Sequence, residues 1–178
     1  MSGMKITGWV LVFVSLLIMA GMSGCNSQNP SSENPAPEGF GIYLTREDTP
    51  VSQMPTLKHF ELADKPVISV DDIIFYTKNT HEIELNVDAY ARVTAMKIPT
   101  SGKAFVVCVD NKQIYWGAFW APYSSQSFDG VTIWLPSLSK ENIVKLTLGY
   151  PSPDFYRGED PRSDLEIFQS LEKAGKLK

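Results

Sequence analysis

Phe105-Val106-Val107-Cys108-Val109-Asp110-Asn111-Lys112-Gln113-Ile114-Tyr115-Trp116-Gly117-Ala118-Phe119-Trp120 is the stretch that decides the fold. Its first five residues form a continuous apolar run, suited to a central strand covered on both faces. Asp110-Asn111-Lys112 follows with residues that tolerate positive φ and can reverse the chain tightly. Gln113 to Trp120 then returns as the partner strand. Alternation along that return sends Tyr115, Gly117 and Phe119 to one face and Trp116, Ala118 and Trp120 to the other. Cys108, inside the apolar run, reads as a small buried hydrophobe, because nothing in the sequence supplies the polarising neighbour that a reactive thiol needs.

Outward from the hairpin, short strands and helices alternate. Phe40 to Thr45 reads as a first strand, and His59 to Ala63 as a half-buried one through Phe60 and Leu62. Ser69 with Asp72 forms a capping-box variant that predicts a helix carrying Ile73, Ile74 and Tyr76 and ending near Asn79. His81 to Asn86 alternates as a strand. Val87 to Met96 predicts a helix with Val87, Tyr90, Ala91 and Thr94 on one stripe, broken by Pro99 and Gly102. Val131 to Leu135 and Ile143 to Leu148 are further strands. Ser163-Asp164-Leu165-Glu166 is a capping box opening a last helix, with Leu165, Phe168, Gln169 and Leu171, closed by Gly175. The fold class is α+β, a mainly antiparallel sheet with short capped helices and a C-terminal helix.

The N-terminal segment has a different character. Lys5 precedes an apolar run, Ile6 to Met22, and Ser23-Gly24 stand directly before Cys25. That is the layout of a secretory signal peptide. Met22-Ser23-Gly24-Cys25 resembles the lipobox of bacterial lipoproteins, although Met22 stands where the family usually has Leu, Val or Ala. The resemblance implies that Cys25 receives a diacylglycerol and becomes the mature N-terminus. An uncleaved anchor is the rival reading, since the run lies at the lower edge of membrane-spanning length. Asn26 to Glu38 contains no large apolar side chain and cannot offset its ordering entropy, so it reads as a tether. The expected organisation is a signal peptide at 1–24, a lipidated cysteine and tether at 25–38, and one domain at 39–178, long enough for a core without disulfide staples. Removing the signal leaves fifteen basic and twenty acidic residues. A mildly acidic chain with scattered lysines has no footprint for nucleic acid and no basic patch for anionic lipid. The expected partners are the membrane, through the acyl anchor, and an envelope protein or glycan.

From Ile68 to Trp134 the order of elements looks like the periplasmic head of the SecD or SecDF protein-translocation subunit. The matching stretches are Val67 to Ile73, His81 to Leu85 and Gly102 to Ile114. The match rests on apolar pattern with Gly102 and Asp110, and this chain lacks that family's multiple membrane helices. It therefore implies a fold and no translocation motor. The Gly117-Ala118-Phe119-Trp120…Ser124-Ser125 stretch also resembles bacterial lipoproteins and secreted proteins of unestablished function.

Catalytic patterns are sparse. His59 and His81 have no companion at ligand spacing, so neither a metal nor a cofactor is expected; each reads as a partly exposed residue opening a strand. Ser124-Ser125 lacks the glycines of a nucleophile elbow. Asp154, Glu159 and Asp160 mix with Arg157 and Arg162, which suggests local ion pairs in a loop. What remains is the aromatic concentration at Tyr115 to Tyr123, joined by Phe128 and Trp134. Either both rows pack as core, one under helices and one under the Tyr150–Arg162 loop, or Trp116, Trp120 and Tyr123 form a binding platform. Trp120, near the Pro122 bend, is the expected exposed member and Trp116 the buried one. The function this supports is a lipid-anchored extracytoplasmic binding or accessory domain. The alternative is a cell-envelope hydrolase using Asp154 and Glu159, which would need a fixed separation across a cleft.

Overall fold

The structure is a computed structural model and describes residues 39–56, 58–135 and 141–178. The expected signal peptide, Cys25 and the tether lie outside the described residues. Among the described residues eight strands make one sheet: β1 (Phe40–Leu44), β2 (Ile68–Ser69), β3 (Ile73–Thr77), β4 (Glu82–Leu85), β5 (Lys103–Val109), β6 (Lys112–Trp120), β7 (Phe128–Trp134) and β8 (Ile143–Tyr150). Their order across the sheet is β2-β1-β5-β6-β7-β8-β4-β3. Every neighbouring pair is antiparallel except β6 and β7, which run parallel from Gly117↔Val131 to Trp120↔Trp134. With helices α1 (Val87–Thr94) and α2 (Leu165–Lys173) the fold is α+β.

The β5–β6 hairpin forms as its sequence dictates. Asp110 and Asn111 both adopt positive φ, 47° and 65°, the conformation of a two-residue primed turn whose twist matches the strands. The two helices cover one face of the sheet. Ala89 and Val93 of α1 and Ile167, Phe168 and Leu171 of α2 join a core with Ile42, Phe105, Phe119, Ile133 and Leu146. The second face is covered over β1, β5 and β6 by the segment after β1, whose 3-10 turn Val51–Thr56 lays Val51 and Met54 onto Val106, Cys108 and Trp120. Gln113 fastens that segment to β6: its Nε2 donates to the Phe60 carbonyl at 2.7 Å and its Oε1 accepts from the Phe60 N–H at 3.2 Å.

Four local expectations change. The helix expected from Val70 to Asn79 is a 3-10 turn, Val70–Asp72, followed by β3. Ser69 does bond Asp72, whose Oδ2 accepts from both the Ser69 N–H (2.8 Å) and its hydroxyl (2.9 Å), but Ile73-Ile74-Phe75 is β-branched and aromatic and extends instead. The expected strand at His59–Ala63 is reduced to a single bridge, Thr45↔Leu62. Helix α1 turns Ala89 and Val93 inward, leaving Val87 exposed. Helix α2 is capped by Asp164, not Ser163, and buries Ile167 beside Phe168 and Leu171 while Leu165 stays outside.

Candidate functional site

Four of the aromatic residues singled out from the sequence, Trp116, Trp120, Phe128 and Trp134, form one continuous ladder with Tyr150 on the second face. Trp116 leans on Phe128 with ring centroids 5.8 Å apart. Phe128 stacks on Trp120 at 5.1 Å with planes within 10°. Trp120 meets Tyr150 at 5.8 Å, and Tyr150 meets Trp134 edge-on at 5.3 Å. Strand pairing explains the order, because β6, β7 and β8 are adjacent and each contributes rings to the same face. Gly102, at φ +79°, makes room for the ladder: a Cβ there would sit 2.3 Å from the Trp120 ring.

Exposure along the ladder corrects the sequence reading. Trp120 is 2% exposed and belongs to the core, so the bend at Pro122 does not free it. The loop after β6 folds back over it, held by the Tyr150 hydroxyl, which lies 2.8 Å from the Pro122 carbonyl and 3.0 Å from that of Ser124. Trp116 is only part-buried, and Trp134 is 38% exposed. Tyr123 is 72% exposed and outside the ladder's ring contacts. The platform expected from Trp116, Trp120 and Tyr123 is therefore not one surface. The tryptophan row packs mainly under the segment carrying Val51 and Met54, and the Tyr150–Arg162 segment meets it at its ends, through Tyr150 and at the cleft beside Trp116.

At the Trp116 end lies a cleft of about 360 Å³. Tyr115 and Trp116 point to opposite faces of β6, yet both line it. They can do so because β6 and β7 are paired only from Gly117↔Val131 onward; before that point the strands part, and the cleft opens in the fork. Asp129 and Gly130 form the β7 wall, Tyr156, Arg157 and Pro161 overhang it, and Pro55 closes the other side. Arg157 ties the overhang down, its N–H donating to the Asp129 carbonyl at 3.0 Å. Its Nη1 donates to the carbonyls of Asp154 and Tyr156, at 2.9 Å each. Tyr115 lines the cleft while its hydroxyl is buried, near enough to Tyr76, Arg162, Asp160 and Tyr156 to feel their charges. Burial above all holds that phenol well above its ordinary range. Among the described residues neither the Tyr115 hydroxyl nor the Trp120 indole N–H has a hydrogen-bond partner.

Near the cleft lies a polar cluster that joins the ion pair expected in this loop, Arg162 with Asp160, to a buried His81–Tyr76 pair that the sequence did not announce. Arg162 grips Asp160 through Nε (2.9 Å) and Nη2 (2.7 Å), and its Nη1 donates to the Leu146 carbonyl at 2.8 Å. That grip holds the Asp160 carboxyl below the usual carboxylate range. His81 is buried, against the expectation of a partly exposed residue, and its Nδ1 pairs with the Tyr76 hydroxyl at 2.9 Å. His59 is exposed and lies in a bend. Among the described residues no group of three or more His, Cys, Asp or Glu could hold a metal. Cys108 is buried, and burial pushes its thiol up to about 11, which leaves it protonated and inert at neutral pH.

The carboxylates of the hydrolase reading do not face the cleft. Asp154 and Glu159 are exposed, Asp154 accepting from the Ser152 hydroxyl at 3.2 Å and Glu159 engaging Tyr156 only through its backbone carbonyl. Among the described residues Asp129 is the carboxylate that lines the cleft, with no second acid on the walls. Ser124 is buried, its hydroxyl donating to the Thr100 carbonyl at 2.6 Å, as a turn residue does. The sequence did not single out Asp129 or Tyr156, and it named Arg157 only among the mixed charges of its loop, because the cleft draws on segments far apart in the chain; an acidic residue at the start of a strand is too common a pattern to mark a site. Among the described residues no helix is long and apolar enough to cross a membrane. Comparison with protein-family models, with curated proteins and with solved structures returns no match.

Proposed function

We propose that this protein is a lipid-anchored extracytoplasmic binding or accessory domain that takes its ligand in the fork between β6 and β7. The anchor rests on the order of Lys5, the apolar run, Ser23-Gly24 and Cys25, followed by a polar tether. The observation that carries the binding reading is the cleft itself: an aromatic floor with a small number of polar groups converging on it, which is how ligand sites are built. The walls hold one carboxylate, so the residues favour holding a ligand over acid–base cleavage, which needs two carboxyls acting together.

Two measurements test the two halves of the reading. Mass spectrometry of the mature protein should show an acyl adduct on Cys25 and no residues 1–24, and Cys25→Ser should release the domain from membranes or leave the precursor uncut. A mature mass that retains Met1 to Gly24 without acyl chains overturns the anchor. For the cleft, a photoreactive side chain placed at the exposed Pro55 on its rim should give an adduct on cells that Trp116→Ala abolishes, and one placed at Lys145, on the far half of the second face, should not. Identical adducts from both positions, or none from position 55, overturn the cleft as the binding site.

A further inference from the structure

Resting on the reading of the fork as a binding site, we infer that its ligand is a neutral sugar ring, a pyranose unit of a glycan. The floor and walls supply the first reason. Trp116 is backed by Phe128 at 5.8 Å, which holds the indole in place, and Tyr115 and Tyr156 face the same space. A sugar ring offers a C–H face that stacks on such rings while its hydroxyls stay at the edge; flat rings with a polar rim suit an amphipathic ligand of this shape.

The second reason is the charge on the rim. Asp129 and Arg157 are both exposed and carry opposite signs, so a strongly charged ligand gains from one and is repelled by the other. Sugar hydroxyls both donate and accept, satisfying an acceptor-only carboxylate and a donor-only guanidinium together. The guanidinium is already oriented by the two carbonyls that Nη1 binds, so little side-chain freedom remains to be lost on binding.

The third reason is what the fork refuses. Two parting strands invite an extended peptide to add to an open edge. Here the Asp129 carbonyl, an acceptor such a guest would use at the mouth of β7, already takes the Arg157 N–H at 3.0 Å. The volume, about 360 Å³, lies at the low end for ligand sites and suits a short saccharide.

The test is saturation-transfer NMR on the full-length protein in a zwitterionic, sugar-free detergent, with cellotriose and the N-acetylglucosamine trimer as probes. At least one should show saturable transfer, strongest on its ring C–H protons. Arg157→Ala and Asp129→Asn, both at exposed positions, should each weaken binding by about tenfold with an unchanged melting temperature, the loss expected for a hydrogen bond to a charged group. Trp134→Ala should leave binding unchanged. Failure of both trisaccharides to bind, or binding indifferent to Arg157→Ala and Asp129→Asn, overturns the sugar assignment. A Trp116-dependent adduct from position 55 would then show that the fork still binds something else, and loss of that adduct too would remove the site altogether.

Discussion

Trp120 and Trp116 show what alternation along a strand can and cannot reveal. Their common face was legible, because side chains two apart on a strand must share it. Which of them is buried was not, because that depends on Phe128 and Tyr150 arriving from β7 and β8 and on Gly102 leaving space. Thermal melts should therefore reverse the order that the Pro122 bend suggests. Trp120→Ala should cost about 3–5 kcal/mol as a large core deletion, whereas Trp134→Ala should cost about 1 kcal/mol, with Trp116→Ala between them. Equal losses at Trp120 and Trp134 would contradict the exposures. His81 allows a second prediction. Burial chiefly lowers its pKa, Arg162 and Lys145 push the same way, and Asp160 opposes them. A histidine depressed in the folded state binds its proton more readily when unfolded. Its contribution to stability is thus whole above the unfolded value of about 6.5 and is lost as pH falls below that toward the folded value. Denaturant melts between pH 7.5 and 5 should show declining stability, and His81→Asn, which tolerates the positive φ of 54° at this site, should flatten the decline. Asp72, Glu82 and Asp160, held below their ordinary range, act on the same sign of slope but in a lower window, below about pH 4. A slope unaltered by the substitution would remove His81 as its source.

Among the elements, the hairpin was readable because its turn is local, and β3 was misread for an equally specific reason. Its pairing with β4 slips between Ile73 and Phe75, so one extra residue is accommodated and Ile73 and Tyr76 both reach the core. Apolar residues three apart look like a helix face; here a bulge produces the same spacing in a strand. Helix α1 was placed correctly but its inward stripe was not, since Val87 lies at its first position and Ala89 and Val93 are small enough to sit flush on the sheet. The hairpin carries the prediction at this scale. Asn111 holds φ at 65° and Asp110 at 47°, with Asp110 Oδ1 also accepting the Gly39 N–H at 2.6 Å. Asn111→Gly should be neutral or slightly stabilising. Asn111→Val, which places a β-branched side chain where φ is positive, should lower stability by about 1–3 kcal/mol, read from urea midpoints at constant slope. An unaffected midpoint would mean the turn tolerates another conformation.

Across the whole molecule, the class of fold was legible from strand count and patterning, whereas the parallel step between β6 and β7 was not. Nothing in either strand marks the direction of its neighbour, and the cleft lies beside the point where that pairing begins, at Gly117↔Val131. The far edge of the sheet is closed by the chain itself. Lys176 and Lys178 exchange hydrogen bonds with Tyr76 (2.7 and 2.9 Å), so the segment after α2 runs parallel along β3. Ending the chain at Gly175 should leave backbone groups of β3 unpaired beside the already exposed Ile74 and Phe75, and light scattering should report more self-association than for the full chain; no difference between the two would show that the edge needs no cover. The order of strands bears on one more matter, the timing of folding. Strand β1 finds its partner β5 only after some 65 intervening residues, from Phe40↔Val109 to Leu44↔Phe105, and β4 waits for β8, with Glu82 opposite Lys145. Each four-stranded half thus borrows from distant parts of the chain, and pairings this remote are slow to form. As the chain emerges from the ribosome, the half built on β4 stays open-ended until Tyr150 has appeared. Until that moment β3 and β4 form a pair with no sheet to join, while β1, β2, β5 and β6 already have all their partners within the finished part of the chain.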